Sequence, residues 1–173
     1  MFAAVDARLL ARKPATLSMR EAAALPLAVI TAWEGLVDRA GVRAGQKVLV
    51  HGGAGGVGSV AVQVAAARGA EVFATASAAR TPLVRRLGAV PIDYTSVPVE
   101  RYVAEHTGGA GFDIVFDTVG GSVLDASFEA VRTYPRRRGG RPQVRGERYG
   151  RRQGRRRRRA VTPPRTARPV RGP

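Results

Sequence analysis

The sequence has 173 residues, of which 45% are hydrophobic, with no cysteine and two histidines. This length is sufficient for one domain with a buried core, and the lack of cysteine excludes disulfide frameworks, thiolate metal sites and cysteine nucleophiles. The net charge of +16 is unevenly placed, because residues 1–133 carry 13 basic and 12 acidic side chains whereas residues 134–173 carry 16 arginines and one acid. The charge pattern therefore separates a nearly neutral body from a strongly basic tail.

The sequence also argues against metal sites and membrane spans. The two isolated histidines, His51 and His106, provide almost no ligands for a zinc site, and we interpret both as structural or exposed residues. The longest apolar stretch, around residues 22–33, is too short and too interrupted to cross a membrane. The N-terminus lacks the basic region and apolar run of a secretory signal, so we expect a cytoplasmic protein without a membrane partner.

The N-terminal part of the chain predicts a linker followed by an apolar helix. Residues 1–17 contain short apolar pieces and predict a strand or linker that leads into the body. Ser18 precedes Glu21 by three residues, which is the spacing of a capping box at a helix start. The helix that follows is apolar nearly all round through Trp33, so we expect it to be largely buried, with a break or kink at Pro26.

From residue 47 onward, short β-branched runs alternate with helical patterns. Strands are predicted at 47–51, 71–76, 90–93 and 112–117, and helices at 56–68, 81–87, 98–106 and 122–131. Such alternation joins parallel strands through right-handed crossovers. The sequence therefore predicts an α/β domain at residues 18–133, with a Rossmann-type parallel sheet and flanking helices.

A glycine-rich segment lies between the first of these strands and its helix. Gly53, Gly55 and Gly58 have the G-x-G-x-x-G spacing of dinucleotide-binding loops. Small residues there permit a tight turn with positive φ, close approach of the backbone to a pyrophosphate and close packing of the helix on the strand. The helix N-terminus also offers free N–H groups to phosphate. The segment predicts a dinucleotide site, with an ordinary glycine-rich turn as the alternative.

The end of the second strand indicates which dinucleotide binds. An acidic residue there would accept hydrogen bonds from the ribose 2′-OH of NAD, but residues 75–80 contain none. Ser77 and Arg80 favour a 2′-phosphate, because a guanidinium group pairs with phosphate in a fork geometry. We therefore expect NADP(H) in preference to NAD(H). The alternative is that Arg80 is only a solvated residue at a helix start.

Five segments carry a family resemblance, namely ALPLAVITAWE at 24–34, GQKVLVHGGAGGVG at 45–58, LGA at 87–89, IDY at 92–94 and FDIVFDTVGG at 112–121. In this order they resemble the medium-chain dehydrogenase/reductase superfamily, and most closely its zinc-independent quinone oxidoreductase and zeta-crystallin branch. The resemblance covers about residues 2–133. It implies an NADPH-dependent oxidoreductase without zinc in this chain, which delivers hydride to a quinone or to an activated carbonyl or alkene. It also raises the homodimer of the full-length family as a partner.

The resemblance further implies which residues surround the cofactor. The pyrophosphate would be held by Gly55, Gly56, Val57 and Gly58. The 2′-phosphate would be surrounded by Ser77, Arg80 and Tyr94. The nicotinamide half would lie near Thr31, Thr118, Val119 and Gly120. The alternatives are that Thr31 satisfies only a helix carbonyl, that Tyr94 is a half-buried aromatic residue at a strand end, and that Gly120 belongs only to a turn. No catalytic acid or base is assigned, because no pair of titratable residues has suitable spacing.

Two departures from the superfamily predict an incomplete domain. The resemblance implies a GroES-like catalytic domain before the cofactor domain, and we expect this chain to lack it. Relatives also continue with strands that complete the order 3-2-1-4-5-6, whereas this sequence changes to Arg, Pro and Gly. We therefore expect strand four to form an edge with Ile114 and Phe116 poorly covered. A non-catalytic nucleotide-binding fragment is the functional alternative.

The tail at residues 134–173 contains six of the 11 prolines, six of the 21 glycines and five consecutive arginines at 155–159. Such a composition buries too little apolar surface to offset its ordering entropy, so we expect disorder. An abrupt change of this kind is what a reading-frame shift produces in GC-rich coding DNA. A nucleic-acid-binding arm and another solvated tail are the alternatives. The former is disfavoured because aromatic residues for base stacking are nearly absent.

Overall fold

The computed structural model describes residues 4–132, so the predicted basic tail lies outside the described residues. Five α-helices and four β-strands follow one another in this range. They are α1 (Met19–Trp33), β1 (Lys47–His51), α2 (Gly56–Ala67), β2 (Glu71–Ala76), α3 (Thr81–Arg86), β3 (Val90–Asp93), α4 (Val99–Thr107), β4 (Ile114–Asp117) and α5 (Ser122–Ala130). The predicted strands and helices from residue 47 onward are confirmed, three of the strands to the residue. Short 3-10 turns lie at Ala7–Leu9 and Ala78–Arg80, and residues 4–17 contain no strand.

The four strands form one parallel sheet in the order β3-β2-β1-β4. The central strand β1 pairs with β2 through Val48 and Val72, and with β4 through Val48 and Ile114. The connection from β3 to β4 returns past β1, so the strand order reverses between β1 and β4. This arrangement confirms the predicted α/β Rossmann-type fold, in which ligands bind outside the carboxyl ends of the strands at such a reversal.

Helices cover both faces of the sheet because successive strand residues point to opposite faces. Val48 and Val50 of β1 belong to a core cluster that includes buried residues of α1, α2 and α3. Leu49, between them, belongs to a second cluster with Phe112 and with residues of α4 and α5. The side chains at the carboxyl end of β1 therefore reach different sides of the sheet, and His51 shares the α4 and α5 side with Leu49.

Helix α1 differs from its prediction in burial and in continuity. The capping box is confirmed, since the Ser18 hydroxyl accepts a hydrogen bond from the Glu21 N–H and the Glu21 carboxylate accepts one from the Ser18 N–H. The helix continues through Pro26, although proline removes one intrahelical hydrogen bond. The expected burial was wrong: Leu27 is 78% exposed and Ile30 64%. The buried residues of α1 are small, Ala28 and Ala32, because the helix packs mainly on α2 along one face within residues 4–132.

Strand β4 lies at an edge of the sheet within residues 4–132, as expected, but the expected poor coverage of its apolar side chains was wrong. Ile114 is only 5% exposed, and Phe116 packs against the first core cluster. A π-helical turn at Glu34–Arg39 follows α1 and covers this edge. The fit at Gly35 is so close that a Cβ atom there would overlap the Phe116 ring. The turn supplies the cover that the periodicity of the strand alone did not reveal.

Candidate functional site

A cavity of about 660 Å³ opens at the carboxyl edge of the sheet, beside the reversal of strand order. Three groups of residues line it. The glycine loop after β1 and the loop after β4 contribute the first group. The end of β2 and the segment after β3 contribute the second. The first turns of α4 and α5 contribute the third. The fold therefore brings together residues that are separated by up to 75 positions in sequence, from His51 to Ala126.

The glycine loop contains glycines that the fold itself requires. Gly52 has a φ of +72°, and its N–H donates to the Thr75 hydroxyl at 3.1 Å. A Cβ at Gly53 would overlap the Ala74 side chain, and one at Gly58 would overlap the Gly52 carbonyl. The positive φ of the turn therefore falls on Gly52, outside the spaced motif, while Gly53 and Gly58 permit close packing of α2 on the sheet.

The two other glycines of the loop differ in their surroundings, since Gly56 faces open space and Gly55 lies close to backbone. A Cβ at Gly56 would meet nothing within 4 Å, and one at Gly55 would lie 3.2 Å from the Gly52 carbonyl oxygen. Gly55 is the N-cap of α2, and no side chain caps the N–H groups of the first turn. Because these N–H groups have no partners within the helix, they remain free to bind an anion. The N-terminus of α2 is thus accessible at Gly56, where no packing contact explains why the residue is glycine.

Polar side chains lie at the carboxyl ends of three adjacent strands, and two of them, His51 and Thr75, line the cavity. Thr75 of β2, His51 of β1 and Asp117 of β4 lie on adjacent strands, and His51 and Asp117 are paired in register. His51 is buried, with Nδ1 3.2 Å from the Thr75 hydroxyl. Burial lowers the pKa of His51, and the negative charge of Asp117 opposes this effect. Nε2 of His51 and one carboxylate oxygen of Asp117 are buried and have no hydrogen-bond partner among residues 4–132.

Three hydrogen bonds hold the loop that follows β4. Asp117 accepts hydrogen bonds from the N–H groups of Val119 at 2.8 Å and Gly120 at 3.1 Å. The Thr118 hydroxyl donates to the His51 carbonyl at 2.7 Å. These bonds tie the loop to the end of β1, so the side chains of Thr118 and Val119 stand at the rim of the cavity.

The structure brings together most of the residues predicted from the sequence. Six of them line the cavity, namely Gly55, Ser77, Arg80, Tyr94, Thr118 and Val119. Gly53, Gly56, Val57 and Gly58 form the adjoining loop and first turn of α2, and Gly120 follows Val119. Thr31 lies on α1 outside the cavity lining, and its hydroxyl donates to the Leu27 carbonyl at 2.8 Å. Tyr94 is 61% exposed, more than a half-buried aromatic residue would be.

Two parts of the site were not predicted from the sequence. No role was expected for Thr75, although the strand alternation that buries Phe73 and Leu49 also directs Thr75 and His51 to one side. The compartment formed by α4 and α5, whose lining residues include Val99, Tyr102 and Ala126, was not expected either. These positions carry no motif, and only the packing of the two helices brings them together.

Comparisons with known proteins agree with this geometry. The family model for zinc-binding dehydrogenases matches residues 56–136. The crystal structure of an alcohol dehydrogenase superfamily protein from Novosphingobium aromaticivorans aligns with a TM-score of 0.72 and 65% identity, over 75% of this chain and 39% of that one. The matched part of this chain has the sequence pattern and the fold of the medium-chain dehydrogenase/reductase superfamily.

Enoyl reductases and polyketide synthases are also among the proteins to which this chain is similar. The CurK enoyl reductase aligns with a TM-score of 0.65 and 36% identity, over 71% of this chain and 37% of that one. The spectinabilin polyketide synthase system protein NorB from Streptomyces orinoci is 47% identical over 130 residues, which is 75% of this chain. This chain spans only 6% of NorB and less than two fifths of either solved relative.

Zinc and a nicotinamide dinucleotide are the two groups associated with the superfamily, and the described residues suit only the dinucleotide. Among residues 4–132, no three His, Cys, Asp or Glu side chains are grouped so that they could hold a metal ion, so these residues do not fit the zinc that the family description names. The open first turn of α2 and the room in front of Gly56 do fit the phosphates of a nicotinamide dinucleotide. In the same part of the chain, no helix is long and apolar enough to cross a membrane.

Proposed function

We propose that residues 18–133 are the cofactor domain of an NADP(H)-dependent oxidoreductase, which transfers hydride between the nicotinamide and a quinone or an activated carbonyl or alkene. The observation that carries this proposal is that one cavity joins the open N-terminus of α2 to Ser77 and Arg80. A dinucleotide phosphate has a positive partner at each of these places.

The pyrophosphate would bind at the first turn of α2. Gly56 and Val57 offer backbone N–H groups there, whereas the Gly55 N–H already donates to the Gly52 carbonyl at 2.9 Å. The helix dipole adds roughly half a positive charge. The empty space at Gly56 supports close approach of phosphate to the backbone. Gly53 and Gly58 would contribute indirectly, by holding α2 against β1 and β2.

The 2′-phosphate would bind at Ser77, Arg80 and Tyr94, which line the cavity together. Asp93 of β3, paired in register with Ala76, is the carboxylate that could instead favour a free 2′-OH. Its oxygens already accept hydrogen bonds from Thr95 and Ser96, and those from Thr95 lower the pKa of Asp93. Because this carboxylate is engaged, the arrangement favours NADP(H) over NAD(H).

The nicotinamide half would lie along the loop of Thr118, Val119 and Gly120. Asp117 and the His51 carbonyl hold this loop in place, so its residues would orient the ring without taking part in proton transfer. Thr31 would approach the same half from α1. When bound, NADPH supplies a hydride, which adds to the β-carbon of an activated alkene while a proton adds to the α-carbon.

Among the proposed acceptors, the matched relatives favour the activated alkene. An enoyl group is an alkene conjugated to a carbonyl, and both an enoyl reductase and a polyketide synthase protein are similar to this chain. NADPH oxidation should therefore be measured with an enoyl thioester and with a quinone in parallel. A chain that binds NADPH and oxidises it with neither acceptor would be a nucleotide-binding fragment without catalysis.

The cofactor assignment is tested by titrating the full chain with NADPH and NADH while following nicotinamide fluorescence. We expect tighter binding of NADPH. Arg80→Gln should weaken NADPH binding by about 10- to 100-fold, since a hydrogen bond to a charged group contributes roughly 1.5–3 kcal/mol, and should leave NADH binding unchanged. Arg85→Gln is the matched control, because Arg85 is exposed on α3 and does not line the cavity.

The outcomes of this titration separate the two parts of the proposal. If a folded sample binds neither dinucleotide, the cofactor assignment is wrong. A preference for NADH would contradict only the role of Ser77 and Arg80. Equal losses in Arg80→Gln and Arg85→Gln would show that the effect is general electrostatics and would also contradict that role.

A further inference from the structure

His51 is a buried histidine at the carboxyl end of β1, and its side chain makes none of the proposed cofactor contacts. The residue is 3% exposed, lines the cavity and directly precedes the glycine loop. Its neighbours on the adjacent strands are Thr75 of β2 and Asp117 of β4. In a cavity that binds phosphates, the protonation of such a buried ionisable group is coupled to the charge of the ligand.

The hydrogen bonds of Thr75 determine which nitrogen of the neutral His51 ring carries the proton. The Thr75 hydroxyl accepts from the Gly52 N–H at 3.1 Å and lies 3.2 Å from Nδ1 of His51. Among residues 4–132, Nδ1 is the one acceptor to which this buried hydroxyl can donate. Because a buried donor without an acceptor is costly, the hydroxyl donates to Nδ1, and the ring carries its proton on Nε2.

Two buried polar atoms beside this network complement each other. Nε2 of His51 is then a donor and one carboxylate oxygen of Asp117 an acceptor, and neither has a partner among residues 4–132. The other Asp117 oxygen accepts from the N–H groups of Val119 and Gly120. A proton added at Nδ1 would make the ring a cation and allow a charge-assisted hydrogen bond from Nε2 to Asp117.

The charges around the His51 ring change sign when an anion enters the cavity. Burial lowers the pKa of His51, and the charge of Asp117 opposes this effect. Arg80, Tyr94 and Tyr102 are the other ionisable residues that line the cavity within residues 4–132, and α5 contributes only uncharged ones. Burial raises the pKa of Tyr102 to about 12, so its hydroxyl is neutral. A pyrophosphate adds negative charge to this cavity, which favours the protonated imidazole.

We infer that binding of the dinucleotide is coupled to the uptake of a proton from solvent by His51, whose imidazolium pairs with Asp117 and stabilises the bound pyrophosphate by its charge. This inference rests on the proposed function, because the pyrophosphate of that ligand supplies the negative charge. Since the complex binds the proton more tightly than the unliganded chain, affinity for the dinucleotide rises as the pH falls toward about 6. His51 is then a binding residue that acts through charge.

The full chain contains two histidines, so NMR of the imidazole nitrogens observes His51 directly. His106→Asn assigns the signals and is the matched control, because the His106 ring stacks on Phe73 at 4.8 Å and does not line the cavity. At about pH 6.5 the unliganded chain should show a mainly neutral His51 with its proton on Nε2. Saturating NADP⁺ should raise the imidazolium fraction of His51 at least about threefold and leave His106 unchanged.

Calorimetric titration with NADP⁺ in two buffers of different ionisation enthalpy counts the protons taken up. The 2′-phosphate itself titrates near about pH 6, so the uptake is compared between proteins. His51→Asn should take up roughly half a proton less than the unmodified chain, and His106→Asn the same amount as the unmodified chain. Asp117→Asn keeps an acceptor oxygen for the loop but removes the charge, so it should also take up less if His51→Asn does not fold.

The outcomes separate this inference from the proposed function. A His51 ring that stays neutral in a complex whose formation calorimetry detects would overturn the inference alone. Equal proton uptake by the unmodified chain and by each folded variant of His51 or Asp117 would do the same. A folded chain that binds no NADP⁺ would contradict the proposed function itself, and the inference with it.

Discussion

The glycines of the loop predict opposite effects of two neighbouring alanine substitutions. A Cβ at position 58 would lie 2.7 Å from the Gly52 carbonyl carbon and 3.1 Å from the Gly53 Cα, both of which are backbone atoms. Overpacking costs about 1–3 kcal/mol, and the helix propensity of alanine offsets about 1 kcal/mol. Since backbone must move, we expect Gly58→Ala to lose about 2 kcal/mol, which lowers Tm by about 8 °C at roughly 4 °C per kcal/mol.

Gly56→Ala should instead preserve or increase stability. The added methyl group meets nothing within 4 Å, and Gly56 does not have a positive φ. A compatible Gly→Ala change stabilises by about 0.5 kcal/mol, so Tm should rise by about 2 °C in the absence of ligand. The methyl group would stand where the pyrophosphate approaches, and we expect at least about a tenfold loss of NADPH affinity.

Thermal unfolding followed by circular dichroism, with and without NADPH, measures both effects on the same sample. NADPH at 100 times Kd should stabilise the unmodified chain by about 2.7 kcal/mol, and Gly56→Ala by about 1.4 kcal/mol or less at the same concentration. A Gly56→Ala protein that is destabilised without ligand would contradict the open space in front of α2. One that retains the full shift with NADPH would refute the placement of the pyrophosphate.

Two further predictions concern stability alone. Ser18→Ala removes the hydroxyl of the capping box and should lower the free energy of unfolding by about 1 kcal/mol. Arg20→Ala, at an exposed neighbouring position, should change the free energy of unfolding little. Urea unfolding measures both effects. Because burial lowers the pKa of His51 below its ordinary value of 6.5, the unfolded chain binds a proton more readily, and stability should be lost as the pH falls from 6.5 toward the folded-state pKa. His51→Asn should flatten this loss in urea unfolding between pH 7.5 and 5, and an unaltered pH profile would contradict the burial of a neutral imidazole.

Local sequence signals were sufficient to predict the strands and helices of the βα units. Gly69 and Gly88 follow α2 and α3 with φ values of +78° and +95°, so the residues that end these helices can be identified without tertiary information. The strands are equally local, because short β-branched runs bounded by such turns have few alternatives. The glycine loop after β1 and the positions of Ser77 and Arg80 just after β2 follow from the same local signals.

What the sequence did not reveal depends on packing between distant segments. The apolar periodicity of α1 indicated a helix but not how little of it is covered within residues 4–132, which is why Leu27 and Ile30 were expected to be buried. Coverage of Phe116 comes from the turn that contains Gly35, 81 positions earlier in the chain. The compartment beside Tyr102 likewise forms only when α4 and α5 pack together, and neither helix carries a sequence motif that predicts it.

The charges around the cavity also bear on the direction in which a dinucleotide would lie. The N-terminus of α2 and Arg80 favour phosphates, whereas the walls that α4 and α5 contribute are mainly apolar. Reversing the proposed NADP(H) would place the 2′-phosphate away from Arg80 and the base away from the apolar walls. The adenosine half would therefore lie toward α4, and the nicotinamide half toward the loop that Asp117 holds. This proposed orientation is supported by the positive groups at one end of the cavity and by the apolar walls at the other.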